Sequence, residues 1–328
     1  MEVQQMFNKE SYERHEGWYN LQFPTEQSKV DYLKKSKDVR VKDNLGVWLQ
    51  SIFFSCLDPL LKNRHKTWLT VGDAYGFDAQ YILRKGIRAT ASDLNIDFLH
   101  IAQKEGVIDS FSMQNAEQLS YDDDQFDYLL CKEAYHHFPR PYAALYEMIR
   151  VAKKGILVIE PQDPISKMSG LLFLLNIFSA VKSKFANLLW KNRFSYEPVG
   201  NFVYKISERE MEKFAAGLNL PLVAFKKINP NFYFKGAEEI ECSLKNKKFR
   251  EVYFKKKLID ALVKIRLIPS QVLSTIVFKE VPDEALLKGL QDGGYHLVYI
   301  PENPYVSRLP EFIFRISQEE GNLANEGS

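Results

Sequence analysis

"WLTVGDAYGFDAQYIL", residues 68–83, is an apolar run that breaks at a small Gly-containing turn and resumes at once as a second apolar stretch. "TWLTVG" (67–72) reads as a strand, and "FDAQYILRKG" (77–86) reads as a helix closed by Gly86. The same alternation continues outward. "RATASD" (88–93) is a strand and "NIDFLHIAQKEG" (95–106) a helix. "FDYLLCKE" (126–133) is a strand, "PYAALYEMIRVAKKG" (141–155) a helix and "ILVIEP" (156–161) a strand. Strands alternating with helices imply a parallel α/β sheet. The turn also carries two acids, Asp73 and Asp78, where a phosphate-binding loop would place none.

The pattern is interrupted twice. After Pro161 and Pro164 an insertion of about forty residues (164–200) contains the greasiest run of the chain, "MSGLLFLLNIFSAV" (168–181), which is shorter than the ~20 residues that cross a bilayer. Ser207 followed by Glu210 forms a capping box and starts a new helix. "PLVAFKKI" (221–228) and "LSTIVFKE" (273–280) read as the last strands, separated by a mostly helical second insertion at about 235–270. The expected organisation is a helical N-terminal cover over 1–64, an α/β core over 65–280 carrying both insertions, and a C-terminal tail over 281–328. Within the cover, 46–64 reads as one apolar-faced helix. Trp18, Tyr19 and Phe23 either stack on a ligand ring or form the cover's own core.

Forty-four basic residues stand against 42 acidic ones, a net charge of +2. That balance argues against a general nucleic-acid binder, which shows a strong basic excess. Cys56, Cys131 and Cys242 are far apart, form no CxxC pair and match no zinc spacing with histidine, so no metal site is expected. The three consecutive acids in "YDDDQFD" (121–127) read as a solvated turn. The polar start of the chain lacks an apolar signal core, and with this cysteine usage the expected compartment is the cytoplasm.

A strand, a Gly turn and a helix N-terminus make a crevice at the carboxyl edge of a parallel sheet, where open α/β folds bind ligands. A P-loop requires a Lys after its last Gly, and none follows Gly76. A dinucleotide loop requires GxGxxG, and Ala74 and Phe77 occupy two of its glycine positions. A pyrophosphate would also meet the carboxylates of Asp73 and Asp78, whereas a cationic nucleoside would not.

At these residues the sequence resembles the class I S-adenosylmethionine-dependent methyltransferases. The first motif of that family, an acidic residue followed by a GxGxG loop, stands here as "TVGDAYG" (70–76), with Thr70 in the acidic slot and Ala74 in the middle Gly slot. "ASDLN" (91–95) places Asp93, with Leu94 beside it, where the family binds the ribose hydroxyls. "MQNAEQL" (113–119) is similar to the stretch over adenine, with Asn115 and Ala116 as candidates. The resemblance spans roughly 67–162 and weakly 200–280. It implies a Rossmann-like class I methyltransferase sheet, mostly parallel with an antiparallel last strand. It also implies S-adenosyl-L-methionine as cofactor, held by Thr70, Gly72, Asp73, Ala74, Gly76, Asp93, Leu94, Asn115, Ala116 and Glu133.

Methyl transfer to a hydroxyl also needs a base near neutral pKa, and "EAYHHF" (133–138) offers His136 and His137 just past the fourth strand, with His136 preferred. The expected function is transfer to an oxygen or nitrogen of a small or medium acceptor, with a sugar or glycan component the working guess. An RNA methyltransferase and a non-catalytic cofactor-binding scaffold are the alternatives. The greasy and basic insertion (Lys182, Lys184, Lys191, Arg193) reads as a lid in preference to a membrane-surface element. Phe254, Leu258, Ala261 or Leu262, and Ile265 recur at helical spacing in a basic stretch whose plain reading is an amphipathic helix with a solvated basic face, with a phosphate-bearing acceptor such as a nucleotide-linked sugar, or RNA, as the sharper readings. The oligomeric state is left open.

Overall fold

The computed structural model describes residues 12–14, 16–41, 43–163, 173, 177, 195, 196 and 202–304. Most of the 164–200 insertion, including Lys182, Lys184, Lys191 and Arg193, and the tail beyond 304 lie outside the described residues.

In chain order the helices are α1 (Glu26–Val41), α2 (Leu45–Phe54), α3 (Phe77–Arg84), α4 (Asp97–Lys104), α5 (Pro141–Val151), α6 (Glu208–Gly217), α7 (Lys247–Lys264) and α8 (Glu284–Asp292). The strands are β1 (Thr67–Val71), β2 (Arg88–Asp93), β3 (Ser110–Met113), β4 (Phe126–Lys132), β5 (Ala152–Pro161), β6 (Leu222–Ile228), β7 (Val272–Phe278) and β8 (His296–Tyr299). They form one sheet in the order β3-β2-β1-β4-β5-β7-β6-β8. β1 pairs in parallel with both β2 and β4, β2 with β3, and β4 with β5. β7 runs antiparallel to β5 and β6, and β8 runs antiparallel to β6. The mostly parallel sheet with an antiparallel late strand is the one expected. The chain reverses its direction of winding between β1 and β4, and the crevice at their carboxyl ends is where such a sheet takes a ligand.

Both faces of the sheet are covered, as parallel strands require. Trp68, Leu130, Leu157 and Ile276 point to one face with Leu99 of α4 and Ile82 of α3. Leu69, Leu129, Ile156 and Val277 point to the other with Leu145 and Met148 of α5 and Met211 of α6. The period-2 alternation along β1, β4, β5 and β7 therefore feeds two cores from strands that read as continuous apolar runs.

Four local features differ from the sequence reading. The helix expected over 46–64 ends at Phe54 and resumes only as a 3-10 turn at Leu60–Lys62. Pro59 has no N–H to donate to the carbonyl four residues back, so the helix cannot run on through it. β5 begins at Ala152, so "AKKG" belongs to the strand, not to the helix before it. β3 was not anticipated, because four half-polar residues carry little apolar signal. The segment expected to be tail from 281 opens with α8 and β8, which extend the sheet past β6. Asp283 caps α8 by accepting from Leu286 N at 2.8 Å. The buried Tyr295 hydroxyl donates to Cys56 O at 2.8 Å and lies 2.8 Å from Ser274 Oγ, which fixes this end of the chain to the core.

Candidate functional site

The two acids of the opening turn are both taken up by the fold. Gly72 has φ +74°, and a Cβ on it would lie 2.4 Å from Ala134 Cβ, so β1 can approach the loop after β4 only through a glycine. Asp73 N donates to Ser92 O at 3.0 Å, which ties the turn to β2. The Asp73 carboxylate accepts from Ala79 N at 2.9 Å, Asp78 N at 3.3 Å and Thr70 Oγ1 at 2.9 Å. It thus satisfies N–H groups that the first turn of α3 leaves without partners, and it places negative charge at the positive end of the helix. Asp78 pairs with Lys132, Nζ to Oδ1 at 3.2 Å. The Lys132 ammonium also sits over the rings of Phe53 and Phe54, 5.5 and 5.6 Å from their centroids. Thr70 and Asp73, expected to hold the cofactor, have side chains assigned to the turn itself. Thr70 is buried and off the cavity wall, and Asp73 is on the wall with its oxygens occupied.

A cavity of about 990 Å³ opens above this turn. Gly72, Ala74, Asp93, Leu94, Asn115, Ala116, Glu133 and His137 all reach its wall, while Gly76 and His136 do not. Gly76 instead forms the left-handed junction into α3, where a Cβ would meet Ile108 Cγ2 at 2.9 Å.

Asp93, at the end of β2, accepts from Asn95 N at 2.9 Å. Burial pushes its carboxyl up to about 7, with the neighbouring Asp73 adding to the effect and the Asn95 N–H opposing it. It has no cationic partner among the described residues. Asn115 Oδ1 accepts from Glu117 N at 2.9 Å and from the Tyr12 hydroxyl at 3.3 Å, which brings the N-terminal segment over the loop after β3. Burial and the nearby Glu117 raise the Tyr12 phenol to about 12.

At the end of β4, Glu133 adopts φ +50°, and its N–H donates to Ile159 O at 2.9 Å. Burial raises its carboxyl, Lys132 opposes the rise and Glu160 adds to it. Glu160, fully buried at the end of β5, organises the next turn. One of its oxygens accepts from Ala134 N at 2.7 Å and Tyr135 N at 2.8 Å, and the other lies 2.5 Å from His136 Nδ1. His136 is therefore directed at the sheet edge and His137 at the cavity. Of the two candidate bases, His136 is held by the buried Glu160 and is off the cavity wall, while His137 is on it.

The N-terminal cover supplies the opposite wall. Tyr12, Glu16 and Tyr19, spaced i, i+4 and i+7, line the cavity together with Tyr32 of α1 and Gln50 and Phe54 of α2. Tyr19 and Phe23 also pack edge-on against Phe98 of α4 at 6.2 and 4.9 Å, so these two aromatics join the cover to the main core, and Tyr19 lines the cavity as well. The charged wall is lopsided. Glu13, Glu16, Asp73, Asp78, Asp93, Asp97 and Glu133 share the wall with one lysine, Lys132, which is itself held by Asp78; Asp97 pairs with Lys29 of α1, off the wall. No cluster suited to a metal ion occurs among the described residues. Glu160, Lys132 and Tyr12 were not singled out from sequence. An acid closing the apolar run of "ILVIEP" was a readable sign of the first, and nothing local marks the other two.

Residues 69–159 match the family model described as a methyltransferase domain. Over these residues the chain is similar to that methyltransferase domain. Its match lies within the stretch 67–162 that carried the motifs. Among solved structures, the methyltransferase domain and its surroundings are similar to a chain from Bacillus halodurans C-125 (19% identity, covering 71% of this chain and 99% of that one, TM-score 0.42). They are also similar to the YcgJ protein of Bacillus subtilis (18%, 69% and 99%, TM-score 0.43) and to a SAM-dependent methyltransferase of Archaeoglobus fulgidus (15%, 68% and 91%, TM-score 0.42). At these values the likenesses say nothing about substrate. No curated protein matches the chain. No described helix is long and apolar enough to cross a membrane.

The cofactor of the methyltransferase domain is S-adenosyl-L-methionine, and the residues present fit it. Asp93 is a largely buried carboxylate without a cationic partner among the described residues, a condition that a diol donating two hydrogen bonds relieves. The acidic wall suits a ligand bearing a sulfonium and an ammonium. A pyrophosphate would find no available cation there.

Proposed function

We propose that this chain transfers a methyl group to an oxygen or nitrogen of a small or medium acceptor that is neutral or cationic, with a sugar or glycan component as the working class. The observation that carries this reading is the wall composition, seven carboxylates against one paired lysine. RNA and nucleotide-linked sugars bring phosphates that such a wall repels, so phosphate-bearing acceptors are disfavoured. Bound S-adenosyl-L-methionine supplies a methyl already activated on sulfur.

The protein's part is to hold, orient and deprotonate. Asp93 accepts the ribose hydroxyls. Gly72 and Ala74 offer a close backbone surface, and Leu94, Asn115 and Ala116 border the base. Glu133 offers a carboxylate to the ammonium. Tyr12, Glu16, Tyr19 and Phe54 enclose the acceptor, exclude water and keep it close to the methyl donor. His137, on the cavity wall, takes the proton that a hydroxyl acceptor must lose.

The test is transfer of labelled methyl to a panel of sugars, amino sugars, amines and short RNAs. His137→Ala is expected to lower turnover ~10²–10⁴-fold, as for loss of a general base, with unchanged affinity for S-adenosylhomocysteine. His136→Ala is expected to act mainly on stability through Glu160. Near-normal turnover in His137→Ala would remove the base assignment. Cofactor binding without transfer to any acceptor would favour the scaffold reading.

A further inference from the structure

The 18-residue helix α7 fills the connection between β6 and β7, and its packing is the reverse of what its sequence suggests. Phe249 and Val263 are buried, with Phe249 lying against Trp48 of α2 at 5.2 Å. The regular apolar series seen in the sequence is a different row. Phe254, Leu258 and Ile265 are 59%, 61% and 69% exposed, and Leu267 just beyond the helix is 61% exposed. With Ala261 they follow i, i+4, i+7 and i+11, one straight stripe on the solvent side.

At 100° per residue, Lys248 and Lys255 fall on one flank of this stripe, and Arg250, Lys257 and Lys264 fall on the other. Glu251 is the one carboxylate on the exposed half. Asp260 lies toward the packed side, where it accepts from Asn229 Nδ2 at 2.8 Å and pairs with Lys256 at 2.7 Å.

We propose that α7 is a membrane-surface helix that docks the protein on anionic lipid. An apolar stripe with lysines on both flanks is the arrangement that lies in the plane of a bilayer interface. The apolar side chains enter the boundary of the acyl chains, and the lysine stems run up beside them to place their ammonium groups among anionic headgroups. A protein partner fits these observations less well. Lysine is depleted at protein interfaces, whereas this stripe is a single helical row flanked by lysines on both sides. A fluid bilayer accepts a convex row without a matching groove.

The topology gives the docking a consequence. β6 ends and β7 begins at the edge of the sheet where β1 and β4 also end, so α7 sits at the same edge as the cavity. α2 links them. Its Leu45 and Leu49 share an apolar cluster with Phe249, while its Gln50 and Phe54 line the cavity. Docking through α7 holds the active-site edge of the sheet toward the lipid.

The experiment is co-sedimentation of the full chain with vesicles of phosphatidylcholine alone and with about one-third phosphatidylglycerol, enough for a negative surface potential. The wild type is expected to sediment with the anionic vesicles only, and less at high salt. Phe254→Ser with Leu258→Ser, and separately Lys255→Glu with Lys257→Glu, are each expected to lower partitioning at least tenfold. Both pairs are exposed, so melting temperature and S-adenosylhomocysteine affinity are expected to stay at wild-type values. Absence of wild-type binding to anionic vesicles would overturn the proposal, as would undiminished binding by both variants. So would a dimer that the Phe254/Leu258 variant dissociates while the wild type ignores vesicles, since a second copy would then own the stripe.

Discussion

Cofactor binding should be coupled to proton release at Asp93. Burial holds this carboxyl at about 7, against an ordinary 3.8. Only the carboxylate can accept from both hydroxyls of a ribose, so the ionised form is the binding form. With a pKa of about 7, roughly one tenth of the protein is ionised at this position at pH 6 and roughly nine tenths at pH 8. Affinity for S-adenosylhomocysteine should therefore rise about tenfold over that interval, about 1.4 kcal/mol, and level off above it.

The stability effect has the opposite sign. A raised carboxyl pKa means that the folded state holds its proton more tightly than the unfolded chain. Stability from this group is full below 3.8 and falls as pH rises to about 7, by a few kcal/mol in total. Asp93→Asn removes that penalty, so the unliganded variant should melt higher than wild type at pH 8. It should also bind S-adenosylhomocysteine about 10–100-fold more weakly, the range for a lost charged hydrogen bond. Calorimetry at pH 6, 7 and 8, in buffers of different ionisation enthalpy, reads affinity and proton release together. A flat affinity between pH 6 and 8, or an asparagine variant that binds as well as wild type, would refute the placement of the ribose on Asp93.

Two further outcomes are expected. Glu160→Gln keeps one acceptor oxygen but loses the buried charge that holds Ala134 N, Tyr135 N and His136, and it should lower stability by about 2–4 kcal/mol in urea unfolding. Asp73→Ala removes the cap of α3 and should cost about 1–2 kcal/mol in melting experiments. Its effect on cofactor affinity should be smaller than that of Asp93→Asn, since its oxygens are used inside the turn.

The core of the fold was legible because parallel strands buried on both faces are written as short apolar runs, and the helices between them close with glycine. "TWLTVG", "RATASD" and "FDYLLCKE" each became a strand at the expected place, and the order of the motifs located the crevice. The positions of Asp93 and of the His136–His137 pair were legible for the same reason, since the first closes β2 and the pair lies in the loop after β4, both at the carboxyl edge. The parts that were not legible depend on partners distant in sequence. Whether Asp73 meets a ligand or a helix end depends on where α3 begins in space. The choice between His136 and His137 depends on Glu160, a strand away. In α7 the periodicity identified an amphipathic helix, but which of its faces is covered was decided by α2, which offers Trp48 to Phe249 and leaves Phe254 and Leu258 to the solvent. Local sequence determines which side chains share a face, because that follows from backbone geometry alone. What each face meets is decided by tertiary packing, because burial and charge pairing are properties of residues brought together from far along the chain.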